Sequence, residues 1–314
     1  MEKGKRCAIF GNTYQPKKCE AVHKLFEALQ ESGIVPLIDT SFYEYLHEEM
    51  HVSIPSHQLI TEDDFDADVA VSMGGDGTFL TTAMRVGKKQ IPILGINTGR
   101  LGFLADFSPD DIALTFRNLH AGLLHTERCN VLQVEYDTAD GSAQQEAAPP
   151  GYPFALNEVA VLKRDNSSMI SIRVDLNGEY LTTYQADGLV VNTPTGSTAY
   201  ALSVGGPVML PGCQNVGLVP VAPHGLTVRP LALPDNLEIT LTVESRSHNF
   251  LVAIDGRSES CQDTTRLTIR KAPYQVFVLK RPETTFLHTL RSKLLWGSDT
   301  RTIEHLENRQ TVNL

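Results

Sequence analysis

The hydrophobic pattern of the chain changes near residue 125, and this change limits the folds open to it. Before that point, short apolar runs alternate with glycine-rich turns and with a helix-period segment at residues 19–32. Short strands that alternate with helices build a parallel sheet with helices on its faces. After that point the apolar residues alternate with period two, which is typical of half-buried antiparallel strands. We therefore predict two domains, which also suits a length of 314 residues.

The first domain is predicted to be α/β, with a Rossmann-like parallel sheet, over residues 1–124. The second is predicted to be β-rich, over residues 125–285. A helical pattern returns in the last segment, residues 286–314, and we expect it to pack back on the first domain with Phe286 and Trp296 as core anchors. The predicted strands cover residues 6–10, 34–38, 68–73, 91–96, 131–136, 154–162, 169–176, 179–186, 237–243, 250–254, 266–271 and 275–280.

Two local segments of the second domain have a clear pattern of their own. Asn177 and Gly178 separate two alternating runs, and an Asn-Gly pair supplies the positive φ values of a type I′ turn. This predicts a hairpin over residues 169–186. Residues 137–152 are small, polar and proline-bearing, which predicts a mobile loop inside the domain.

The charge balance excludes several classes of partner. The chain carries 27 Lys and Arg against 37 Asp and Glu, a formal charge of −10. A net negative surface repels nucleic acid and anionic lipid, so we expect neither a nucleic-acid partner nor a membrane. The five cysteines are widely spaced, without a C-x-x-C pair, and fit neither a disulfide framework nor a cysteine-rich zinc site. We predict a cytoplasmic protein with buried free thiols.

The turn after the strand at residues 68–73 carries the chemistry of the first domain. It runs from Gly74 to Thr78 with the sequence GGDGT and enters a helical segment. Glycines let a ligand approach the backbone, and the N–H groups at a helix start attract phosphate. A carboxylate repels phosphate there, unless it holds Mg²⁺ against the phosphates or accepts a proton from an attacking hydroxyl. The alternative is a tight turn in which Asp76 is only the helix N-cap.

Two common nucleotide-binding fingerprints are absent. The chain has no G-x-x-x-x-G-K-[ST] segment, and therefore no Walker lysine, and residues 75–80 lack the third glycine of G-x-G-x-x-G. A phosphoryl-transfer enzyme with this sequence belongs to neither of those designs.

The second domain carries two polar segments at predicted strand ends. Residues 185–200 (QADGLVVNTPTGSTAY) end a strand in a hydroxyl-rich turn and enter a short helix at about Thr198. That arrangement suits a polar, flat ligand such as an adenine nucleoside, and a capped Ser/Thr-rich turn is the structural alternative. Asn157 and Glu158 interrupt an apolar strand, and the ribose hydroxyls of a ligand would satisfy both side chains.

Taken together, these segments resemble the NAD kinase family. The GGDGT turn is shared with diacylglycerol, sphingosine and phosphofructo-kinases, whereas residues 193–200, followed by the glycines and proline of residues 205–207, are far more specific. The resemblance spans about residues 7–296. It implies ATP-dependent phosphorylation of the adenosine-ribose 2′-hydroxyl of NAD with a divalent metal ion, Mg²⁺, at a site between the two domains. It also implies a homodimer or homotetramer.

The resemblance further implies roles for individual residues. Asp76 matches the family's proposed general base. The polar side chain of Gln185 favours NAD over NADH, and no residue is assigned as a metal ligand. The matching phosphate- and ATP-binding positions are Gly74, Gly75, Gly77 and Thr78. The matching NAD-binding positions are Asp76, Gly77, Asn157, Glu158, Gln185, Asp187, Thr198, Ala199, Tyr200, Ala201, Leu202 and Ser203.

Three competing hypotheses come from different functional classes. The segment from His47 to His51 matches H-E-x-x-H, and His57 falls where a metzincin-type zinc protease has its third histidine. Ile54 stands where that family needs glycine, so an incidental surface cluster is the favoured interpretation. The second hypothesis is a lipid or sugar kinase that shares only the GGDGT turn. The third is a non-catalytic dinucleotide-binding regulator.

Overall fold

The computed structural model describes residues 5–13, 19–99, 102–138, 152–164 and 168–297, and it confirms the predicted fold class. In the first domain, strands alternate with helices. The elements are β1 (Arg6–Gly11), α1 (Cys19–Glu31), β2 (Val35–Asp39), α2 (Thr40–Glu44), β3 (Gln58–Ile60), β4 (Val69–Gly74), α3 (Asp76–Val86), β5 (Ile93–Asn97) and α4 (Ile112–His120).

The five strands of the first domain pair in parallel, in the order β3-β2-β1-β4-β5. Helices cover both faces of this sheet, because its central strands β1, β4 and β5 carry buried apolar side chains on both sides. Leu25 of α1 and Phe116 of α4 lie in the core on one face. Phe79 and Ala83 of α3 lie in the core on the other.

The part of the chain that follows α4 is almost entirely β. Its elements are β6 (His125–Thr138), β7 (Phe154–Ala155), β8 (Glu158–Lys163), β9 (Ile170–Leu176), β10 (Glu179–Ala186), β11 (Gly188–Asn192), α5 (Tyr200–Ser203), β12 (Asn215–Val221), β13 (Leu231–Pro234), β14 (Ile239–Glu244), β15 (Asn249–Ile254), β16 (Arg257–Gln262), β17 (Thr265–Lys280) and α6 (Phe286–Leu294).

These strands are divided between two sheets. Six of them form an antiparallel sheet in the order β13-β12-β11-β8-β15-β16. The others extend the parallel sheet, because Val278 of β17 pairs with Ile93 of β5 and so joins β10-β9-β14-β17 to the strands of the first domain. An apolar core of side chains from both sheets fills the space between them. The division into domains at residue 125 stays a prediction.

The predicted hairpin over residues 169–186 is confirmed. β9 and β10 pair antiparallel, and the turn between them has φ of 49° at Asn177 and 82° at Gly178. Both values are positive, as a type I′ turn requires. Most of the predicted mobile loop, residues 139–151, lies outside the described residues.

The predicted boundaries between strands were wrong in two places. The apolar run at residues 154–162 is two strands, because β7 pairs with β6 in one sheet and β8 pairs with β11 and β15 in the other. Residues 266–271 and 275–280 are instead one strand, β17, which pairs with β6 along its length. The pairing register shifts between Lys271 and Gln275, where Pro273 has no N–H group for the ladder.

The last helix packs on the first domain. α6 begins after Thr285, whose hydroxyl accepts a hydrogen bond from the His288 N–H. The ring centroids of Phe286 and Phe103 are 6.1 Å apart, so the helix contacts the segment that follows β5. Trp296 is 56% exposed, and its prediction as a core anchor is wrong, since it lies beyond the end of the helix. Residues 298–314 lie outside the described residues.

Among the residues described, no helix combines the length and the hydropathy needed to cross a membrane.

Candidate active site

The GGDGT turn links the central strand β4 to α3. The helix N-cap is Gly75, which has no side chain to cap the first N–H groups, and the turn therefore leaves them for a ligand. A Cβ placed on Gly75 or Gly77 would have no heavy atom within 4 Å. Gly74 differs, because a Cβ there would overlap the side chain of Thr78. The open backbone of the turn is therefore at Gly75 and Gly77.

Asp76 is the first residue of α3, and its carboxylate holds a second segment of the domain. One oxygen accepts the N–H of Phe103 at 2.7 Å, and the other accepts those of Leu104 and Ala105 at 3.0 and 3.1 Å. Asp76 is not the N-cap, so its interpretation as a capping residue is wrong. A Cβ on Gly102 would overlap the carboxylate. The segment after β5 is thus docked directly onto the GGDGT turn.

The Asp76 carboxylate can accept a further hydrogen bond besides these three. An ionised carboxylate has about four acceptor positions on its two oxygens. With three positions taken by backbone N–H groups, about one remains for a ligand. The side chain is partly exposed, so that position can be reached.

Lys280, at the end of β17, binds the other side of the same segment. Its Nζ donates to the carbonyl oxygens of Phe103 at 3.0 Å and Leu104 at 3.3 Å, and it pairs with Asp106 at 3.2 Å. The residue is only 8% exposed. Lys280 and Asp76 together fix both the carbonyl and the N–H groups of residues 103–105, although the two residues are far apart in sequence.

The threonine–proline segment of the second domain forms a compact turn. A 3-10 turn at Thr195–Thr198 precedes α5, which has only four residues. Two hydroxyls of this segment bind backbone carbonyls. The Thr193 hydroxyl donates to the Leu156 carbonyl at 2.6 Å, and the Ser197 hydroxyl donates to the Pro194 carbonyl at 2.6 Å. This part of the segment is therefore structural, a turn stabilised by its own Ser and Thr side chains.

Other side chains of the same segment face a cleft. Thr195 and Thr198 line a pocket together with Phe103, Lys280 and Thr289. The pocket therefore lies between the segment docked on Asp76, the threonine–proline turn and α6. Ala199, Tyr200 and Leu202 are partly buried, Ser203 is exposed and Ala201 is fully buried.

Asn157 and Glu158 lie where the chain crosses from β7 to β8. Both residues are 8% exposed. The N–H groups of Leu156, Asn157 and Glu158 donate to the Asp255 carboxylate at 2.7, 2.8 and 3.1 Å. Asp255 has a positive φ of 47° in the turn between β15 and β16. Burial raises the pKa of Asp255, and the three N–H bonds act against that rise.

Glu158 is a buried acid with a perturbed pKa. Burial, with the nearby Asp255 carboxylate as the second cause, raises the pKa of Glu158 to about 7. Among the described residues its Oε2 has no hydrogen-bond partner. An acid in this environment can bind a ligand hydroxyl either as donor or as acceptor near neutral pH.

Gln185 and Asp187 lie away from these residues within one chain. Along the β11–β8 ladder, Asn192 pairs with Glu158 at one end. Asp187 directly precedes the other end of β11, where its main-chain oxygen accepts a hydrogen bond from the Lys163 N–H. Five strand residues separate the two ends by about 17 Å. The Asp187 carboxylate pairs with Lys163 at 2.7 Å, and the Gln185 amide donates to Ser171 at 2.7 Å.

Comparison with known proteins identifies the family. The model of the ATP-NAD kinase N-terminal domain matches residues 7–123, and that of the C-terminal domain matches residues 156–280. An NAD kinase of Bacteroides fragilis is 53% identical over 294 residues, 94% of this chain and 99% of the relative. An NAD kinase of Porphyromonas gingivalis is 40% identical over 297 residues, 95% of this chain and 100% of the relative. The chain belongs to the NAD kinase family.

Solved structures agree on the fold. A yeast NADH kinase complexed with NADH superimposes with a TM-score of 0.85 at 21% identity, covering 95% of this chain and 89% of the other. An NAD kinase from Archaeoglobus fulgidus in complex with ATP superimposes with a TM-score of 0.67 at 26% identity, covering 88% and 94%. The two-domain arrangement is therefore that of NAD kinase structures.

The histidine cluster gives a zinc protease no support. His47 lies in a π-helical turn, Tyr45–Glu49, and His51 follows it with a positive φ of 52°. The four-residue spacing places two side chains on one face only within an α-helix. In the part of the chain that the structure describes, no group of three or more His, Cys, Asp or Glu could hold a metal ion. His57 instead packs on the ring of Tyr43, with 4.8 Å between centroids.

Several residues around this candidate site carry no recognisable motif. Lys280 and the N–H groups of residues 103–105 are joined to Asp76 only by the tertiary fold, and no local pattern marks them.

The close approach of the threonine–proline turn to Asn157 can be tested with Gly196→Ala. A Cβ on Gly196 would overlap the Asn157 carbonyl, which is backbone and cannot move aside. Overpacking of this kind costs about 1–3 kcal/mol, so we expect urea denaturation to show at least that loss in the free energy of unfolding. Gly77→Ala is the matched control, since open space surrounds that position. Equal stability of the two variants would contradict the packing described here.

The perturbed acid can be tested with Glu158→Gln. Its folded pKa of about 7 lies above the ordinary 4.5, so its contribution to stability is full below pH 4.5 and is lost as pH rises through 7. A tenfold change in an acid dissociation constant corresponds to about 1.4 kcal/mol, and the loss in the wild type between pH 4.5 and 8 is therefore about 3 kcal/mol. We expect glutamine, which does not titrate, to remove this loss in denaturation curves. The same pH dependence in both proteins would show that Glu158 is not the titrating group.

Proposed function

We propose that this protein transfers the terminal phosphoryl group of ATP to the 2′-hydroxyl of the adenosine ribose of NAD. The observation that carries the proposal is the Asp76 carboxylate at the start of α3. It retains about one acceptor position and lies next to the open backbone of Gly75 and Gly77. A hydroxyl nucleophile and a phosphate need those two features side by side.

The reaction follows from this arrangement. The 2′-hydroxyl donates its hydrogen bond to Asp76, which orients the oxygen and accepts its proton. A bond forms between that oxygen and the γ-phosphorus, and the bond between the γ-phosphorus and the ADP oxygen breaks. The uncapped N–H groups at the start of α3 stabilise the phosphate charge, and the open backbone at Gly75 and Gly77 leaves room for the phosphates to approach. Gly74 and Thr78 are proposed to complete this phosphate-binding turn.

The second domain is proposed to hold the dinucleotide. Asn157 and Glu158 present buried polar groups at the crossing between β7 and β8, where the hydroxyls of a ribose would complete their hydrogen bonds. Thr198 lines the cleft, and Ala199 to Ser203 continue from it along α5. The polar side chain of Gln185 is proposed to favour NAD over NADH.

The donor set of the site also fits the proposed Mg²⁺. The described residues form no carboxylate cage, and Mg²⁺ is usually bound through one or two carboxylates and the phosphates of a substrate. We infer that the ion would arrive with ATP and be held mainly by its phosphates, since the remaining acceptor position of Asp76 is assigned to the 2′-hydroxyl. When bound, it neutralises phosphate charge.

We also propose a homo-oligomer whose copies share their sites. Gln185 and Asp187 match NAD-binding positions but lie about 17 Å from the Glu158 end of β11. A second copy of the chain that presents its own Asp187 to this cleft would reconcile the two observations. A homodimer or a homotetramer would each provide such a pair.

A cytoplasmic location is proposed on the chemistry of the cysteines. Cys7, Cys129, Cys213 and Cys261 are free thiols, and burial raises the pKa of Cys129 to about 12. Unpaired, unreactive thiols of this kind suit a reducing compartment.

The direct test is NADP formation by the purified chain from NAD and Mg-ATP, read with an NADP-specific dehydrogenase. Robust NADP formation supports the proposal, and NADH in place of NAD tests the preference assigned to Gln185. NAD binding without ATP consumption would favour the dinucleotide-binding regulator. ATP turnover on a lipid or sugar, with none on NAD, would favour a lipid or sugar kinase.

Asp76→Asn tests the assigned base. Asparagine keeps one oxygen, which can still accept the N–H groups of Leu104 and Ala105, but its NH2 group replaces the oxygen that accepts from Phe103. It also removes the charge that accepts the proton. Loss of a general base costs about 10² to 10⁴ in rate, so we expect kcat to fall by that factor while NAD binding, measured by calorimetry, survives. A kcat close to that of the wild type would remove Asp76 from the mechanism.

Mixed oligomers of Asp76→Asn and Asp187→Ala chains test the shared site. If Asp187 serves the partner's cleft, a mixed dimer has one site with both substitutions and one with neither. We therefore expect two inactive parents to recover about a quarter of the wild-type activity when co-expressed in equal amounts. Mixed dimers that form but stay inactive would show that Asp187 acts within its own chain, and full activity of Asp187→Ala alone would show that it is not needed.

A further inference from the structure

Lys293 lies on the buried face of α6 and reaches the segment that is docked on Asp76. Leu290, one turn earlier on that face, is 8% exposed, and Thr289 lines the cleft. The Nζ of Lys293 is 4.9 Å from the centroid of the Phe103 ring. Phe103 is also the residue whose N–H group donates to Asp76 at 2.7 Å. Phe103 therefore contacts both this ammonium group, through its ring, and the proposed catalytic carboxylate, through its N–H.

Within the described part of the chain, the Lys293 ammonium group has no hydrogen-bond acceptor. Among the residues that the structure describes, it is the one buried side-chain nitrogen without a hydrogen-bond partner. Lys280 is different, because its Nζ is used by two carbonyl oxygens and by Asp106. Burying a charge without a hydrogen-bond partner costs folding free energy. Packing alone therefore does not explain this lysine, and we expect it to serve a ligand.

The charges around Lys293 come from three other segments. Burial lowers the pKa of Lys293, Asp76 and Asp106 act to raise it, and Lys280 acts to lower it. The amine is thus placed between two carboxylates and a second ammonium, and its charge is only partly balanced. A polyanionic ligand that enters the cleft would restore its protonated, fully charged form.

We propose that Lys293 supplies the phosphate-binding cation of this kinase, contacting the terminal phosphates of ATP beside Asp76. The inference rests on the NAD kinase function proposed above. Lys293 fills the role of the lysine that the absent Walker segment would have provided, from the opposite end of the chain. The Phe103 ring holds the ammonium group by a cation–π contact until the nucleotide binds.

Lys293→Met tests this role, with Arg291→Met as the matched control. Methionine keeps the length and apolar contacts of the lysine and removes its charge. Arg291 is on the same helix but exposed, so its loss changes the net charge of the helix equally without reaching the cleft. We expect kcat/KM for ATP to fall about 10- to 100-fold in Lys293→Met, as for loss of a charged hydrogen bond. KM for NAD, and the activity of Arg291→Met, should stay within about twofold of the wild type.

Two further measurements separate phosphate binding from packing. Lys293→Arg keeps the charge and should recover at least a tenth of the wild-type kcat/KM for ATP. The melting temperature of Lys293→Met should not fall, because the variant removes an unpaired buried charge. Wild-type kcat/KM for ATP in Lys293→Met would overturn the proposal. Equal losses in the methionine and arginine variants, with a lower melting temperature in both, would also overturn it by assigning Lys293 to packing.

Direct ATP binding keeps this test independent of the proposed reaction. If the wild type binds ATP by calorimetry but forms no NADP, the proposed function fails, and the comparison of ATP dissociation constants still tests Lys293. We expect the dissociation constant of Lys293→Met to rise about 10-fold or more. If the wild type forms NADP and the two dissociation constants agree, the inference about Lys293 fails alone.

Discussion

The site depends on the three hydrogen bonds that the Asp76 carboxylate accepts from residues 103–105. They fix the segment after β5 against the GGDGT turn, and Lys280 at the end of β17 fixes the same segment through its carbonyls. Since β17 also joins the two parts of the large sheet, this contact ties the proposed phosphate-binding turn to the β-rich half of the molecule. Asp76 thus positions the cleft as well as offering an acceptor within it.

The same device occurs again in the second domain. Asp255 accepts three consecutive N–H groups, those of residues 156–158, just as Asp76 accepts those of residues 103–105. In both cases a carboxylate in a tight turn orders a segment at a strand end. The two carboxylates also act on ionisable neighbours: Asp255 contributes to the raised pKa of Glu158, and Asp76 acts to raise the pKa of Lys293.

The sequence predicted the fold class, most strands and the β9–β10 hairpin, because those depend on local period and on the Asn177-Gly178 turn. It failed where tertiary pairing decided the outcome, as in the run that divides into β7 and β8 and in β17, which continues past Pro273. The motifs predicted a candidate site, but not which of its side chains are engaged in hydrogen bonds within the fold. The Thr193 hydroxyl binds Leu156 and the Ser197 hydroxyl binds its own turn, whereas Lys280 and Lys293 reach Phe103, beside Asp76, only through the tertiary fold.

The remaining acceptor position of Asp76 is central to the proposed reaction, because it has to receive the 2′-hydroxyl of NAD. A crystal structure of the chain with NAD and a non-hydrolysable ATP analogue measures this directly. We predict the hydroxyl oxygen within about 2.6–3.2 Å of an Asp76 oxygen, with the three backbone hydrogen bonds intact. A complex in which that hydroxyl contacts another group, while Asp76 binds only residues 103–105, would contradict the proposed role.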